Sequence, residues 1–446
     1  MNIVERIFRD ADRKAIALIG EGQEVTYGRL IEMTDAAAQR ISASQAMRVG
    51  LDCPNGIAHV VLALAIVRTG KCLVPIASEL SARERERVIR ETGVGAILDA
   101  QGEIREVPMA TDMGFDPTAL AALNPAFIRF SSGTTGTSKG VVLSHESLLA
   151  RVTAANRGLG IGPADRIVWI LPMAHHFAVS IMLYLLHGAT TIIENSHLAE
   201  DVLSAATRHG GTVLYGAPFH HALLASEGSG RAWPTLRLAV STAAALPPGT
   251  AETFAQRYGL PLCQGLGIIE VGLPLLNLQR PREKPTSIGS PLPDYHAEVR
   301  GDGELFLRGP GMFDAYLHPW RSRVEVLEQG WFHTGDLARI DEDGDIHLLG
   351  RSHSVINVAG LKCFPEEIEA ILCEVPEVKR ARVTGKPNPR FGAVPVAEIV
   401  PRDPANPPKI SALAAYCRGA LARYKVPVEF KLVESVPLTP SGKIQR

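Results

Sequence analysis

Apolar and polar positions follow two rhythms along this chain, and the change between them divides it. Up to about Cys263 helical and strand-like runs alternate. Tyr27 to Ile41 has the apolar spacing of an amphipathic helix opened by Thr26. Val49 to Cys53 reads as a strand stopped by Pro54-Asn55-Gly56, Ile57 to Thr69 as a helix and Cys72 to Ile76 as the next strand. The alternation resumes with Arg166 to Ile170 (strand), Val179 to Leu186 (helix) and Thr190 to Ile193 (strand). Further strands are expected at Thr212 to Tyr215, Leu236 to Val240 and Pro261 to Cys263. Strands alternating with helices predict a largely parallel sheet.

Near Arg280 the texture changes. A charged, proline-broken loop, Arg280 to Pro285, precedes hairpin-like strands at Ala297 to Arg300 and Glu304 to Arg308, and Asp341 to Gly344 turns between two more. Pro365 to Leu372 then reads as a helix with early proline and first-turn acids, Val378 to Thr384 and Ala393 to Val400 as strands, and Ile410 to Leu421 as a helix. The expected fold class is α/β. A large N-terminal domain of α/β subdomains plus a β-rich subdomain (1–350) is followed by a small mobile α+β C-terminal domain (351–446).

A chain of 446 residues exceeds one compact core. Its 46 basic and 47 acidic residues nearly cancel, and nothing in that balance asks for nucleic acid or an anionic membrane as the main partner. The six cysteines form no C-x-x-C pair and read as reduced thiols, and the charged start holds no signal-peptide core. Phe177 to Ile193, the longest apolar stretch, is too short for a membrane span and includes His187-Gly188. A cytoplasmic protein is expected.

The candidate chemistry starts at Ser131-Ser132-Gly133-Thr134-Thr135-Gly136-Thr137-Ser138-Lys139-Gly140. This polar run lies between the apolar runs Ala126-Phe-Ile-Arg-Phe130 and Val141 to Leu143. Such a loop offers backbone N–H groups, hydroxyl donors and one cation, which suits a polyphosphate. It fails the G-x-x-x-x-G-K count, since Ser138 stands where glycine is needed.

The loop resembles the signature of the adenylate-forming superfamily, which includes acyl-CoA and aryl-CoA ligases, peptide-synthetase adenylation domains and luciferases. Other motifs follow in that family's order. Gly330-Trp-Phe-His-Thr-Gly-Asp336 is similar to its T-G-D element, and Gly350-Arg351 lies fifteen positions beyond. The resemblance implies that Asp336 and Arg351 hold the ribose of ATP. It places a hinge at His353, where relatives usually carry aspartate or lysine, and Lys362 near the phosphates. Pro437-Leu-Thr-Pro-Ser-Gly-Lys443 resembles the motif whose lysine enters the site for adenylation. Lys443 is the principal catalytic candidate, a cation set between a carboxylate and phosphates that would otherwise repel.

Gln264-Gly265-Leu266-Gly267-Ile268-Ile269-Glu270 matches the family's nucleotide motif with two departures. Leu266 replaces the tyrosine over adenine, and Ile269 replaces a threonine that donates to the α-phosphate. Glu270 is kept. By resemblance, Ser131, Ser132, Gly133, Thr134, Thr135, Gly136 and Lys139 hold phosphates, while Glu270 and Thr135 hold Mg2+. The acyl pocket falls at His175, His176, Phe177, Ala217, Thr242, Ala243 and Ala244. Ala178 stands where amino-acid-activating relatives carry aspartate, which argues against an α-amino acid. Ser241 to Ala245 replaces a glycine-rich stretch, so a compact aryl or short-to-medium acyl acid is expected. The implied reaction uses ATP, Mg2+ and a carboxylic acid, with coenzyme A as acceptor. One alternative acceptor is the phosphopantetheine of an acyl carrier protein; another reading is an adenylate-binding relative with weak turnover.

Overall fold

The computed structural model describes all residues except 79, 81, 109–113, 132–138, 197, 352–353, 359–360, 389–390, 439–443 and 446. At 83, 130, 131, 139, 357, 361, 362 and 392 it describes the backbone only. The chain is mixed α/β and forms two compact units. One comprises 1–296 with 307–332, the other 297–306 with 333–446. The division expected at 350/351 rests on the hinge motif and concerns where the chain pivots.

The first unit holds two large sheets. Five parallel pairings join six strands: Ile16–Gly20, Thr190–Ile193, Arg166–Trp169, Val213–Gly216, Leu238–Ser241 and Leu262–Ile268. Antiparallel strands extend this sheet at both edges. Its buried face packs Val168, Leu214 and Ala239 against Val202, Leu203, Leu224 and Phe254. In the second sheet the order runs Arg321–Ser322, Ala315–Tyr316, Lys139–Ser144, Pro125–Ser131, Cys72–Pro75, Arg48–Asp52, Ala96–Asp99 and Ile104–Glu106.

Local chemistry explains the elements. Helix Tyr27–Ser42 is capped by Thr26, whose hydroxyl accepts from the Arg29 N–H at 3.2 Å. Helix Ile57–Arg68 buries apolar side chains all round, as a helix inside a core must. The helix expected over Val179 to Leu186 starts earlier and is irregular. An α turn, Met173–His176, passes into a π turn, Phe177–Ile181, and then into α-helix Met182–Leu186. The reading from residue 179 missed this because the paired histidines interrupt the apolar pattern; both sit half-buried inside the helical run. Among the described residues, no helix is long and apolar enough to cross a membrane.

In the second unit, strands Phe332–Ile340 and Ile346–Arg351 form an antiparallel pair. A further sheet joins Leu361–Cys363, Ile356–Val358, Gly392–Pro401 and Val378–Asn388, with Glu429–Leu432 parallel to Gly392–Pro401. Helices Pro365–Cys373 and Ile410–Ala420 cover it through Ile368, Leu372, Leu413 and Cys417.

Candidate active site

The polar loop joins two antiparallel strands, Pro125–Ser131 and Lys139–Ser144, whose last pairing is Ser131 with Lys139. Ser132, Gly133, Thr134, Thr135 and Gly136 lie outside the described residues, as do the Ser131 and Lys139 side chains. What is described is the base on which the loop stands. Arg129 pairs with Val141 across the hairpin, and Val141 pairs with Tyr316 on the next strand. Register partners share a face, so Arg129 and Tyr316 flank Val141 on one side of the sheet.

Glu270 is tied to that row. The Tyr316 hydroxyl donates to its Oε1 at 3.0 Å. The Glu270 carbonyl accepts from the Phe313 N–H at 2.8 Å, and Arg151 donates through Nη1 to the Ile269 carbonyl at 2.8 Å. Arg151 Nε holds the Gly311 carbonyl, also at 2.8 Å. A Cβ on Gly311 would meet the Arg151 backbone nitrogen at 2.3 Å, so only glycine permits this approach. Burial pushes the Arg151 guanidinium down to about 10, against the charges of Asp314 and Glu270. It remains a cation, with Nε and Nη1 spent on backbone carbonyls around Glu270 and Nη2 buried without a hydrogen-bond partner among the described residues.

The nucleotide motif continues strand Leu262–Ile268. Gln264 is buried, accepting from the Leu246 N–H at 2.6 Å and donating to the Thr286 carbonyl at 3.0 Å. A register shift between Leu266 and Ile268 marks where the strand leaves regular pairing with Gly272–Leu276. Leu266 is half-buried and Gly267 exposed. A Cβ on Gly267 would lie 3.8 Å from the Thr242 hydroxyl, which joins the nucleotide motif to the expected acyl wall.

That wall is aromatic and polar. The Thr242 N–H donates to the Gly216 carbonyl at 3.0 Å, next to Ala217, which caps helix Pro218–Ala225. Tyr215 stacks on Trp169 at 6.2 Å, and His176 meets Trp169 edge-on at 5.7 Å. His175 gives its carbonyl to Arg129 Nη1 at 2.5 Å, tying the acyl segment to the strand that enters the polar loop. Phe177 is wholly buried and packs beside His59 at 5.9 Å. Ala243 is half-buried with φ of 73°, the left-handed region that costs an L-residue about 1–2 kcal/mol. Ala244 is exposed.

In the second unit Asp336 and Arg351 are cross-strand partners, with Arg351 Nε 2.5 Å from Asp336 Oδ1. The Thr334 hydroxyl accepts from the Asp336 N–H at 3.0 Å and donates to the Leu305 carbonyl at 2.7 Å, fixing the turn from below. His353 and Lys443 lie outside the described residues. The ends of the Lys443 loop are joined, since Leu438 bridges Ile444 and the Gln445 N–H donates to the Pro437 carbonyl at 2.9 Å. Arg382 and Lys386 are paired with Glu398 at 3.0 Å and Glu429 at 2.8 Å.

Sequence reasoning missed Arg129, Arg151, Tyr316, Trp169 and Tyr215. The one visible signal was Arg129, a charge inside the otherwise apolar run Ala126 to Phe130.

A hairpin carrying the polar sequence, a glutamate tethered to the adjoining strand and an aromatic wall, on an α/β frame of this topology, are the parts of an adenylate-forming enzyme. The chain belongs to the AMP-binding enzyme family, whose model matches residues 6–317; the family's C-terminal domain model matches 367–443. It is 34% identical to a sulfoacetate–CoA ligase of Cupriavidus necator over 72% of this chain and 66% of that protein. It is 28% identical to a 2-succinylbenzoate–CoA ligase of Listeria monocytogenes over 97% of this chain and 95% of that protein. Among solved structures, ATP-bound MatB from Rhodopseudomonas palustris aligns with a TM-score of 0.87 at 25% identity, covering 100% of this chain and 97% of that one.

Proposed function

We propose that this chain is an AMP-forming acid–thiol ligase that adenylates a compact carboxylic acid and passes the acyl group to coenzyme A. The observation that carries this reading is the row Arg129–Val141–Tyr316. It brings the base of the polar loop, the tethered Glu270 and the His175 segment together in one unit. The CoA ligases among its relatives support the acceptor, and their acids, one short and one aryl, fit a compact pocket.

In the first half-reaction a carboxylate oxygen of the acid attacks the α-phosphorus of ATP, and the bond to the bridging oxygen breaks to release pyrophosphate. Thr134, Thr135 and Lys139 hold the departing phosphates. Asp336 and Arg351 hold the ribose, and Lys443 screens the two approaching anions from each other. In the second half-reaction a thiol sulfur attacks the acyl carbon, AMP leaves, and the thiol proton passes to solvent. The 351–446 segment pivots near His353 between the two, withdrawing Lys443 to admit the pantetheine arm.

Mg2+ suits the donors present. No group of three His, Cys, Asp or Glu side chains that could hold a metal occurs among the described residues. One carboxylate, Glu270, with a hydroxyl such as Thr135 matches an ion held mostly by phosphate and water. When bound, it would neutralise phosphate charge. A cytoplasmic location fits this reading, since ATP and coenzyme A are its substrates.

Pyrophosphate release with a panel of aryl and short acyl acids, with CoA or a holo carrier protein as acceptor, tests the reading. Turnover with the carrier protein alone would move the acceptor assignment to a phosphopantetheine arm. AMP binding without release for any acid would reduce the chain to an adenylate-binding relative. Lys443→Ala should abolish acyl-AMP formation and largely spare thioester formation from supplied acyl-AMP; equal loss in both would refute the role given to Lys443.

A further inference from the structure

The Ile269 side chain cannot donate a hydrogen bond, and the structure spends its carbonyl on Arg151. The segment that would carry an α-phosphate donor therefore has no side chain to offer one. On strand Pro125–Ser131, in the other large sheet, stands a guanidinium that the expected chemistry leaves without a role. Arg129 is two residues before Ser131, on the same face of the strand as the residue that opens the loop. Its neighbour on the opposite face, Ile128, lies in the hydrophobic core with Val142 and Ala315, so Arg129 points away from that core. One of its donors, Nη1, holds the His175 carbonyl. Its Nε is shielded from solvent and has no hydrogen-bond partner among the described residues.

A half-buried guanidinium with a solvent-shielded spare donor is costly unless something anionic completes it. Burial pushes Arg129 down to about 10 while the charge of Glu270 pulls it back up, so the two groups sense each other across the face they share. No salt bridge joins them, because Glu270 is turned onto Tyr316. Arg129, bonded to the His175 carbonyl, and Glu270, bonded to Tyr316, thus stand at the foot of the polar loop and beside the acyl segment. There an α-phosphate would meet a carboxylate.

We propose that Arg129 donates to the α-phosphate of the bound nucleotide, supplying the contact that Ile269 cannot. This rests on the adenylation reading for its purpose but not for its test. The contact is a charge-assisted hydrogen bond to phosphate, present with AMP and absent with adenosine.

Calorimetric titration of AMP and of adenosine into the full chain separates the two. Arg129→Met should weaken AMP by about 10- to 100-fold and change adenosine by less than about twofold. Arg129→Lys, which keeps a point charge, should fall between. Adding Ile269→Thr to Arg129→Met should recover about tenfold for AMP, while Ile269→Thr alone should gain little. Parallel loss of AMP and adenosine, or no loss of either, would overturn the proposal. So would equal gains from Ile269→Thr in both backgrounds. If Arg129→Met does not fold, the AMP-to-adenosine ratio of Arg129→Lys decides instead. The ratio is read without any acid, so a chain that releases no pyrophosphate would count against the ligase reading and leave this result standing.

Discussion

Tyr316→Phe isolates one oxygen at the centre of the site. The Tyr316 ring is buried and packs on Phe313 at 4.7 Å, so phenylalanine keeps the packing and loses only the hydroxyl that donates to Glu270 at 3.0 Å. Burial and the Glu270 charge drive the phenol far above its ordinary range, so it remains a protonated donor at any working pH. A hydrogen bond to a charged group contributes about 1.5–3 kcal/mol. Glu270 is half-buried, and water can replace part of the lost contact, which lowers the expected cost to about 1–2 kcal/mol. If the tether orients Glu270 during adenylation, pyrophosphate release should slow by about 5- to 30-fold at saturating acid. Glu270→Gln supplies the control: its Oε1 still accepts from Tyr316, but the charge is gone. The two changes should therefore couple, the double variant losing about 1 kcal/mol less than the sum of the singles. A rate for Tyr316→Phe within about twofold of the unaltered protein would refute the tether. Additivity of the cycle to within about 0.5 kcal/mol would do the same.

Two stability predictions follow from groups outside the site. His59 is buried with one ring nitrogen 2.9 Å from the Cys53 carbonyl, and burial pushes it from 6.5 down to about 4. The unfolded chain takes up that proton first, so the penalty is absent above about pH 6.5, grows as pH falls and is complete near pH 4, at about 3 kcal/mol. His59→Gln should flatten the fall in urea midpoint between those pH values; an unchanged slope would assign it to other groups. Asp165 accepts from Arg237 twice at 2.7 Å, and from Thr212 and the Gly162 N–H. Burial works against the Asp165 charge, but these donors outweigh it and hold the carboxyl below its ordinary value. Its stabilisation is therefore present at neutral pH and lost as pH falls through the carboxylate range. Arg237→Met should cost about 1–2 kcal/mol near pH 7 and less near pH 3.5. An equal deficit at both would mean that Arg237 acts by packing.

Local pattern carried the reading of single elements, while the site depended on which elements became neighbours. Thr26 capping Tyr27–Ser42 was legible because cap and helix adjoin. So was the nearness of Asp336 to Arg351, since fifteen residues with a turn at Asp341 to Gly344 make a hairpin. Arg129, Glu270 and Tyr316 are far apart in the chain and come together because Ala315–Tyr316 pairs with Lys139–Ser144, while Arg151 reaches the Ile269 carbonyl from helix His145–Leu159. A period of two tells which face a strand residue takes, and nothing about which strand lies beside it.

The two departures at Leu266 and Ile269 show what this costs a sequence reading. Taken alone, Ile269 is a deleted hydroxyl and argues for a weakened site. In the folded chain that position is held by its main chain, through a buried Arg151 that also fixes the Gly311 turn. The glutamate one residue on is held by a tyrosine from another strand. The position of Glu270 thus does not depend on a donor at 269. A cation in the other large sheet, Arg129, has an Nε without a partner among the described residues and able to replace what the isoleucine removed. Which residue type stands at a motif position therefore decides less than which donors the fold brings within reach of it.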